Sequence, residues 1–343
     1  MKFNAPNNEQ ELDEVLTRPT PETIEAVKCL GGDLLILGSG GKMGPSLALL
    51  AQRSVIRAGL PYTVRCVSRF SDSSVASRLK SAGVNAIASD LLQPHALAEL
   101  PDAANVIFMA GMKFGTTGAE TQTWAINVLL PGLVARRYAS SRIVVLSSGN
   151  VYPLVPVTSG GADERTPVAP VGEYAQTCVG RERMFQHGSL EYQTPVTILR
   201  LNYANDLRYG VLCDIANQVY TDQPIDLSMG NVNVIWQGDA NRVILQAFSI
   251  SATPAQILNL TGPETASVRW LAEQFGRLFG RQPIFTGEES NLALLSNAAE
   301  CHRLFGYPRV TLSQMIEWTA HWIKIGGRQL AKPTHFERQD GRF

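Results

Sequence analysis

The sequence predicts an α/β fold: a doubly wound parallel sheet of the Rossmann type, with a smaller C-terminal α/β region beside it for substrate. Three observations carry this prediction. Short, near-continuous apolar runs recur between residues 33 and 203, helical stretches separate most of them, and the first run opens into a glycine-rich turn that leads into a helical pattern. Strands that are apolar at successive positions, rather than alternate ones, are buried on both faces, and that requires helices on both sides of a parallel sheet.

Residues 10–30 read as helix, interrupted at Pro19 and Pro21 and restarted by "PETIEAVKCL". Pro21 suits a first turn, where no backbone donor is needed. "DLLILGSGGKMGPSLALLAQRSVIRAG" then reads as strand, turn and helix, and the apolar runs "YTVRCVSR" (62–69), "NAIASDL" (85–91), "NVIFMAG" (105–111), "RIVVLSSGNVY" (142–152) and "PVTILRLNY" (195–203) supply further strands. After residue 204 the alternation becomes irregular. "VNVIWQGDANRVILQAF" reads as a short strand running into a helix, "TASVRWLAEQFGRLFG" and "TLSQMIEWTAHWIKIG" as amphipathic helices, and "KPTHFERQDGRF" as a polar, solvated tail. The expected organisation is a helical extension over 1–31, the Rossmann domain over 32–203, the substrate region over 204–330 and the tail over 331–343.

The 343 residues are 45% hydrophobic, with 30 Lys+Arg against 30 Asp+Glu. That balance argues against nucleic acid or an anionic membrane as partner. No apolar run approaches the roughly eighteen residues of a spanning helix, and the N-terminus has no signal-peptide apolar core, so a soluble cytoplasmic protein is expected. The five cysteines are scattered singly, without zinc-site spacing or disulfide density, and no metal is expected.

"GSGGKMG" sets Gly38, Gly41 and Gly44 in G-x-x-G-x-x-G spacing, with Ser39, Lys42 and Met43 filling the turn. Chain without side chains lets a pyrophosphate approach backbone N–H groups and the positive end of the following helix. At the end of the second strand, where an acidic side chain would bond the ribose 2′-hydroxyl of NAD, stand Ser68 and Arg69. A hydroxyl and a guanidinium suit a 2′-phosphate, so NADP is the expected cofactor and NAD the alternative. Asp90 closes the third strand near the adenine, or else caps the helix in "LQPHALAEL".

With these motifs in place the chain resembles the extended short-chain dehydrogenase/reductase family, which contains the sugar-nucleotide epimerases and dehydratases, over roughly residues 32–325. "SDLLQ", with Asp90 and Leu91, is similar to the family's adenine-contact segment. "FMAGMKFG", with Ala110, Gly111 and Lys113, resembles the fourth-strand motif that backs the cofactor. Asn127 falls where the family keeps a structural asparagine, and "VVLSSGNVYP" resembles the fifth-strand segment whose serine, here Ser148, aids catalysis. The resemblance implies Tyr174 as proton donor and acceptor while the nicotinamide exchanges a hydride, and a homodimer formed through the helices after the fourth and fifth strands.

One part of the pattern departs from the family. "EYAQTCVGRER" carries Tyr174 and matches the family's helix glutamate at Glu182, but four residues after the tyrosine stands Cys178 in place of lysine. A free tyrosine titrates near pH 10, so only about one in a thousand is phenolate at pH 7, and a close cation lowers a pKa by roughly one to three units. A thiol supplies no such cation. Lys113 and, two helical turns on, Arg181 are the candidate substitutes. A reductase would lose less, because a neutral tyrosine is already the donor it needs. A catalytically inactive NAD(P)-binding sensor or scaffold is the rival reading.

For substrate, the position where nucleotide-sugar members of the family carry an arginine for the diphosphate holds Val232, followed by the matching acidic residue Asp239. A small-molecule substrate of polyol, free-sugar or sugar-acid type is expected, with Asn150, Asn202 and Tyr203 on its side of the site. Arg200, Arg208 or Arg242 could replace the missing arginine.

Overall fold

The computed structural model describes residues 4–113, 115–116 and 118–341. Seven strands form one parallel sheet: β1 (Leu34–Leu37), β2 (Val64–Ser68), β3 (Asn85–Ala88), β4 (Asn105–Phe108), β5 (Arg142–Ser148), β6 (Val196–Leu201) and β7 (Gln256–Leu260). Their order is β7-β6-β5-β4-β1-β2-β3, and the register sets Leu34 beside both Val64 and Asn105. β1 and β4 are buried at every position, as the apolar runs Leu34–Leu37 and Val106–Phe108 require; Asn105, buried at the start of β4, donates to the Leu30 carbonyl. Strand order reverses on either side of β1, and the crevice beyond the carboxyl ends of β1 and β4 is where open α/β sheets bind ligands.

The six strands expected from sequence are present. The seventh is not separable from the C-terminal region: β7 returns from residue 256 to pair with β6, so that region shares the sheet rather than sitting beside it. Helix Pro21–Lys28 begins with Pro21 in its first turn and a capping box between Thr20 and Thr23, so two terminal donors are satisfied locally. Helix Leu312–Lys324 repeats the device with Thr311 and Gln314.

A second core lies under the C-terminal half, where Trp236, Trp318 and Trp322 pack with Val211, Ile215 and Phe275. Both ends of the chain enter it. Leu12 and Leu16 of helix Glu9–Thr17 are buried there, and so is Phe336. The tail is therefore anchored at points, with Thr334 and Phe336 buried, although residues 331–333 and 338–340 are exposed as its composition implies. Leu330 donates its backbone N–H to the Arg208 carbonyl, Thr334 donates from N and Oγ1 to the Asp214 carboxylate at 2.7 and 2.6 Å, and Gln339 donates to the Ser228 carbonyl. Among the described residues no helix is long and apolar enough to cross a membrane.

Candidate active site

The crevice opens into a cavity of ≈ 1530 Å³ that runs from the glycine-rich turn to the C-terminal region. At its floor the Gly38 N–H donates to the Val67 carbonyl at 2.8 Å, drawing the turn against β2. The three glycines serve different ends. A Cβ on Gly38 would lie 2.4 Å from the Ala110 backbone and one on Gly44 2.3 Å from the Ser39 carbonyl oxygen, so both are needed for packing. A Cβ on Gly41 would approach only the Gly38 carbonyl oxygen, at 3.8 Å, and Gly41 faces the cavity. Helix Gly44–Ala58 starts at Met43 with no side-chain cap, unlike the helices begun by Thr20, Asp72, Ser267 and Thr311. Its positive end is thus left to the cavity, and a pyrophosphate fits this cradle.

Gly38, Gly41, Lys42, Met43, Ser68, Arg69, Asp90, Leu91, Ala110, Gly111, Lys113, Ser148, Asn150, Tyr174, Asn202 and Tyr203 all line the cavity. Ser39, Gly44 and Asn127, read from the sequence as part of the cofactor site, are not in the lining: Ser39 and Asn127 are fully buried, and Gly44 is packed on Ser39. Asp90 is not the cap of helix Ala96–Glu99, which starts after His95; its carboxylate instead accepts from the Leu92 N–H at 3.1 Å.

Helix Gly172–Tyr192 carries the tyrosine. Cys178, Arg181, Glu182 and Phe185 form its sheet-facing stripe, at the three- and four-residue spacing of one helical face. The stripe is anchored by a buried ion pair: Glu182 accepts from Arg200 Nε at 2.9 Å and Nη2 at 2.7 Å, and from the Ser147 hydroxyl at 2.6 Å. Arg200 also donates to Tyr152 Oη. Removing one partner of such a pair costs about 3–5 kcal/mol, so the helix is fixed firmly on β5 and β6.

At the head of this helix the Tyr174 hydroxyl is hydrogen-bonded with Ser148 and Cys178. Ser148 in turn donates to Asn150 Oδ1 at 2.8 Å. Burial, then the thiol of Cys178, push the tyrosine well above its ordinary pKa, and the Arg181 charge offsets this only in part. The phenol is therefore protonated throughout the neutral range. Cys178 is fully buried, its thiol pushed up by burial, and it contributes no charge.

A cation stands further along the same helix. Arg181 reaches back under the strand ends, donating to the Leu146 carbonyl at 2.8 Å and to Asn127 Oδ1 at 2.9 Å, and it lines the cavity. Gly111 makes this possible, since a Cβ there would stand 2.6 Å from Arg181 Nη2. Asn127 lies in a π-helical turn, Ala125–Leu129, and also bonds the Met112 N–H, the Met112 carbonyl and Thr177. Among the described residues, Arg181 Nε has no hydrogen-bond partner although it is buried. Lys113 is the second cation, with Nζ 5.8 Å from the Tyr174 ring centre and 6.0 Å from that of Tyr203; burial lowers its pKa to about 8.

On the substrate side, Asn202 is buried and donates to the Leu294 carbonyl, so its amide is partly committed to the fold. Tyr203 stays half-buried with φ 44° and faces the cavity. Val232 lies in the second core, away from the cavity. Arg200 is committed to Glu182, and Arg242 to Asp239 and the Phe305 and Tyr307 carbonyls. Arg208 lines the cavity but is paired with Asp206 at 2.7 Å and Asp13 at 3.2 Å. Sequence reasoning missed the wall formed by Tyr209, Lys332, Thr334 and His335, because nothing in a polar tail signals its return to the site.

The fold and this cavity define a dinucleotide-binding α/β protein with Tyr174 and Ser148 side by side in the cavity lining. Residues 34–204 match the NAD dependent epimerase/dehydratase family, to which the chain belongs. Similar solved structures include UDP-glucuronic acid 4-epimerase from Bacillus cereus in complex with UDP-glucuronic acid and NAD (17% identity, 85% of this chain and 99% of that one, TM-score 0.70). UDP-glucose 4-epimerase from Thermotoga maritima with UDP-glucose is another (14%, 85% and 98%, 0.70), and MoeE5 in complex with UDP-glucose and NAD a third (17%, 86% and 99%, 0.69). At these identities the likeness is one of fold. No curated protein matches the chain.

Proposed function

We propose that the protein is an NAD(P)-dependent oxidoreductase or epimerase acting on a hydroxyl or carbonyl of a small carbohydrate-like substrate, with carbonyl reduction its favoured half-reaction. The observation that carries this reading is the Tyr174–Ser148 pair opening into the cavity that holds the glycine-rich cradle, with the phenol kept protonated. The dinucleotide supplies or takes up the hydride. Ser148 polarises the substrate oxygen, and Tyr174 delivers the proton to it, a role that needs the neutral phenol and not the phenolate. Arg181, fixed by Asn127 and Leu146, takes over the electrostatic part of the missing lysine and stabilises charge that develops on the oxygen. Unlike a lysine it cannot shuttle a proton.

NADP is the proposed cofactor, because Ser68 and the exposed Arg69 line the adenosine end. A homodimer is also proposed. Trp124 and Leu133, on the run of helical turns after β4, and Leu190, on the tyrosine helix, are exposed apolar side chains on adjacent helices.

The absence of lysine at Cys178 favours the rival, a cofactor-binding protein without turnover. Titration with NADPH and NADH, followed by a carbonyl screen, separates the two. Tight binding of NADPH with turnover supports the enzyme; tight binding with no turnover by any carbonyl supports the rival. Arg69→Ala is expected to weaken NADPH about tenfold, by loss of a charge-assisted contact, and to leave NADH unchanged.

A further inference from the structure

The tail and the lysines around it bear on which molecules enter. Residues 328–335 line the cavity on the side away from the sheet. The segment is not loosely draped: it is held at Arg208, Asp214 and Ser228, Phe336 is buried in the second core, and Gly341 packs against Val171 and Gly172 at the start of the tyrosine helix. It thus spans from the C-terminal helices to the head of the helix that carries Tyr174. Charge divides along the lining. At the rim three carboxylates are engaged by arginines, Asp13 by Arg78 at 2.6 Å and by Arg208, Asp206 by Arg208, and Glu9 by Arg328 at 3.5 Å, while Asp72 and Asp90 accept from Ser74 and from the Leu92 N–H. Further in, Lys42 lies 3.1 Å over the Tyr209 ring and Lys113 stands near Tyr174 and Tyr203, while Lys332, exposed on the tail, borders the cavity. Burial first, and then the charges of Lys113 and Lys332, lower the Lys42 pKa, while the Asp214 carboxylate offsets them in part.

We propose that residues 328–341 are a strap that closes the substrate end of the cavity to sugar nucleotides and, through Lys332 acting with Lys113, selects a small hydroxy or oxo compound bearing an anionic group. This rests on the oxidoreductase reading for the reacting oxygen, and not for the anion. The dinucleotide pyrophosphate has its own cradle at Gly41 and the open helix end, so Lys113 and Lys332 face the remaining space. A carboxylate and a phosphate monoester satisfy the same two ammonium groups, and a neutral polyol satisfies neither. A nucleoside diphosphate would find Arg200 and Arg242 committed to the fold and Arg208 already paired.

The test is calorimetric binding to the full chain loaded with NADP+ or NAD+, followed by turnover on the same ligands. The probes are a panel of three- to six-carbon hydroxy- and oxo-carboxylates including D-gluconate, D-glucose 6-phosphate as the phosphate arm, D-sorbitol as the neutral partner, and UDP-glucose. One or both anionic arms are expected to bind at least about tenfold more tightly than sorbitol, with UDP-glucose not bound. Lys332→Ala is expected to remove most of that preference and Lys332→Glu to abolish it. A chain ending at Gly327 is expected to admit UDP-glucose; should it fail to fold, Thr334→Ala, which frees the strap from Asp214, gives the same readout. Anion binding without turnover would sustain this inference and sink the oxidoreductase reading. Equal binding of sorbitol, no binding by either anionic arm, or an unchanged preference in both Lys332 variants would overturn it.

Discussion

On the cofactor side of the cavity the lining comes from contiguous stretches: Gly38 to Met43 in one turn, Ser68 and Arg69 at the end of β2, Asp90 and Leu91 after β3. On the substrate side Tyr174, Arg181, Lys113, Tyr203 and Lys332 come from four separate segments. The first wall depends on backbone: close approach at glycines, N–H groups and a free helix end. Backbone geometry is written in local sequence. The second depends on where charged side chains end up, and there the protein departs from its family's pattern. The lysine one turn after the tyrosine is absent, and a cation two turns after it is threaded back beneath β4 through the space left by Gly111.

Three experiments would break or sharpen this contrast. The largest effect belongs to Tyr174→Phe. Carbonyl reduction should fall by about 10²- to 10⁴-fold while NADPH affinity changes little, because the donor is lost and the cradle is untouched. A steady-state rate with a calorimetric Kd checks both halves; a parallel loss of cofactor binding would show that the two walls are not independent.

Next comes the repair of the missing lysine. Cys178→Lys alone puts an ammonium into a fully buried position beside the Arg181 guanidinium, and should cost about 3 kcal/mol or more of stability without improving oxidation. Combining it with Arg181→Met should restore the melting temperature and raise oxidative kcat/KM by about tenfold above the unsubstituted protein. Such non-additivity is expected where two residues serve one function. A gain from Cys178→Lys alone would mean that Arg181 does not occupy the lysine's role.

The smallest effect is a proton. Burial, then repulsion from Lys113 and Lys332, hold Lys42 down to about 7, so at pH 8 it is mostly neutral. A pyrophosphate bound at the turn favours its charged form and raises its pKa, so NADPH binding at pH 8 should take up about one proton. Calorimetry in buffers of different ionisation enthalpy measures the uptake, and Lys42→Met should abolish most of it. Below pH 6, where Lys42 is already charged, the uptake should vanish.

Much of the frame was legible in advance. The β1 run, the glycine spacing and Pro21 were placed from local pattern, since each is dictated by backbone periodicity or turn chemistry, while the Ser148–Tyr174 pair was placed by resemblance to a family's motifs. β7 was not, because "QILNL" is short and its apolar residues are interrupted by Asn259, which is buried only because it bonds the Ala162 and Asn297 carbonyls. The tail was read as solvated because composition counts polar side chains and cannot see that Asp214, distant in sequence, accepts both donors of Thr334.

The sequence by itself determined most of the sheet and the glycine-rich turn, because these follow from propensity and short-range geometry; the tyrosine and serine were found through motifs that resemble a family's. Only the tertiary structure sets Arg181 beside Asn127 and Gly111 and lays the tail along the cavity. Arg181, Gly111 and Asn127 lie on different elements, and the strap meets the tyrosine helix across more than 150 residues of chain. A long side chain's charge acts where its tip comes to rest, and that depends on what the rest of the fold leaves open.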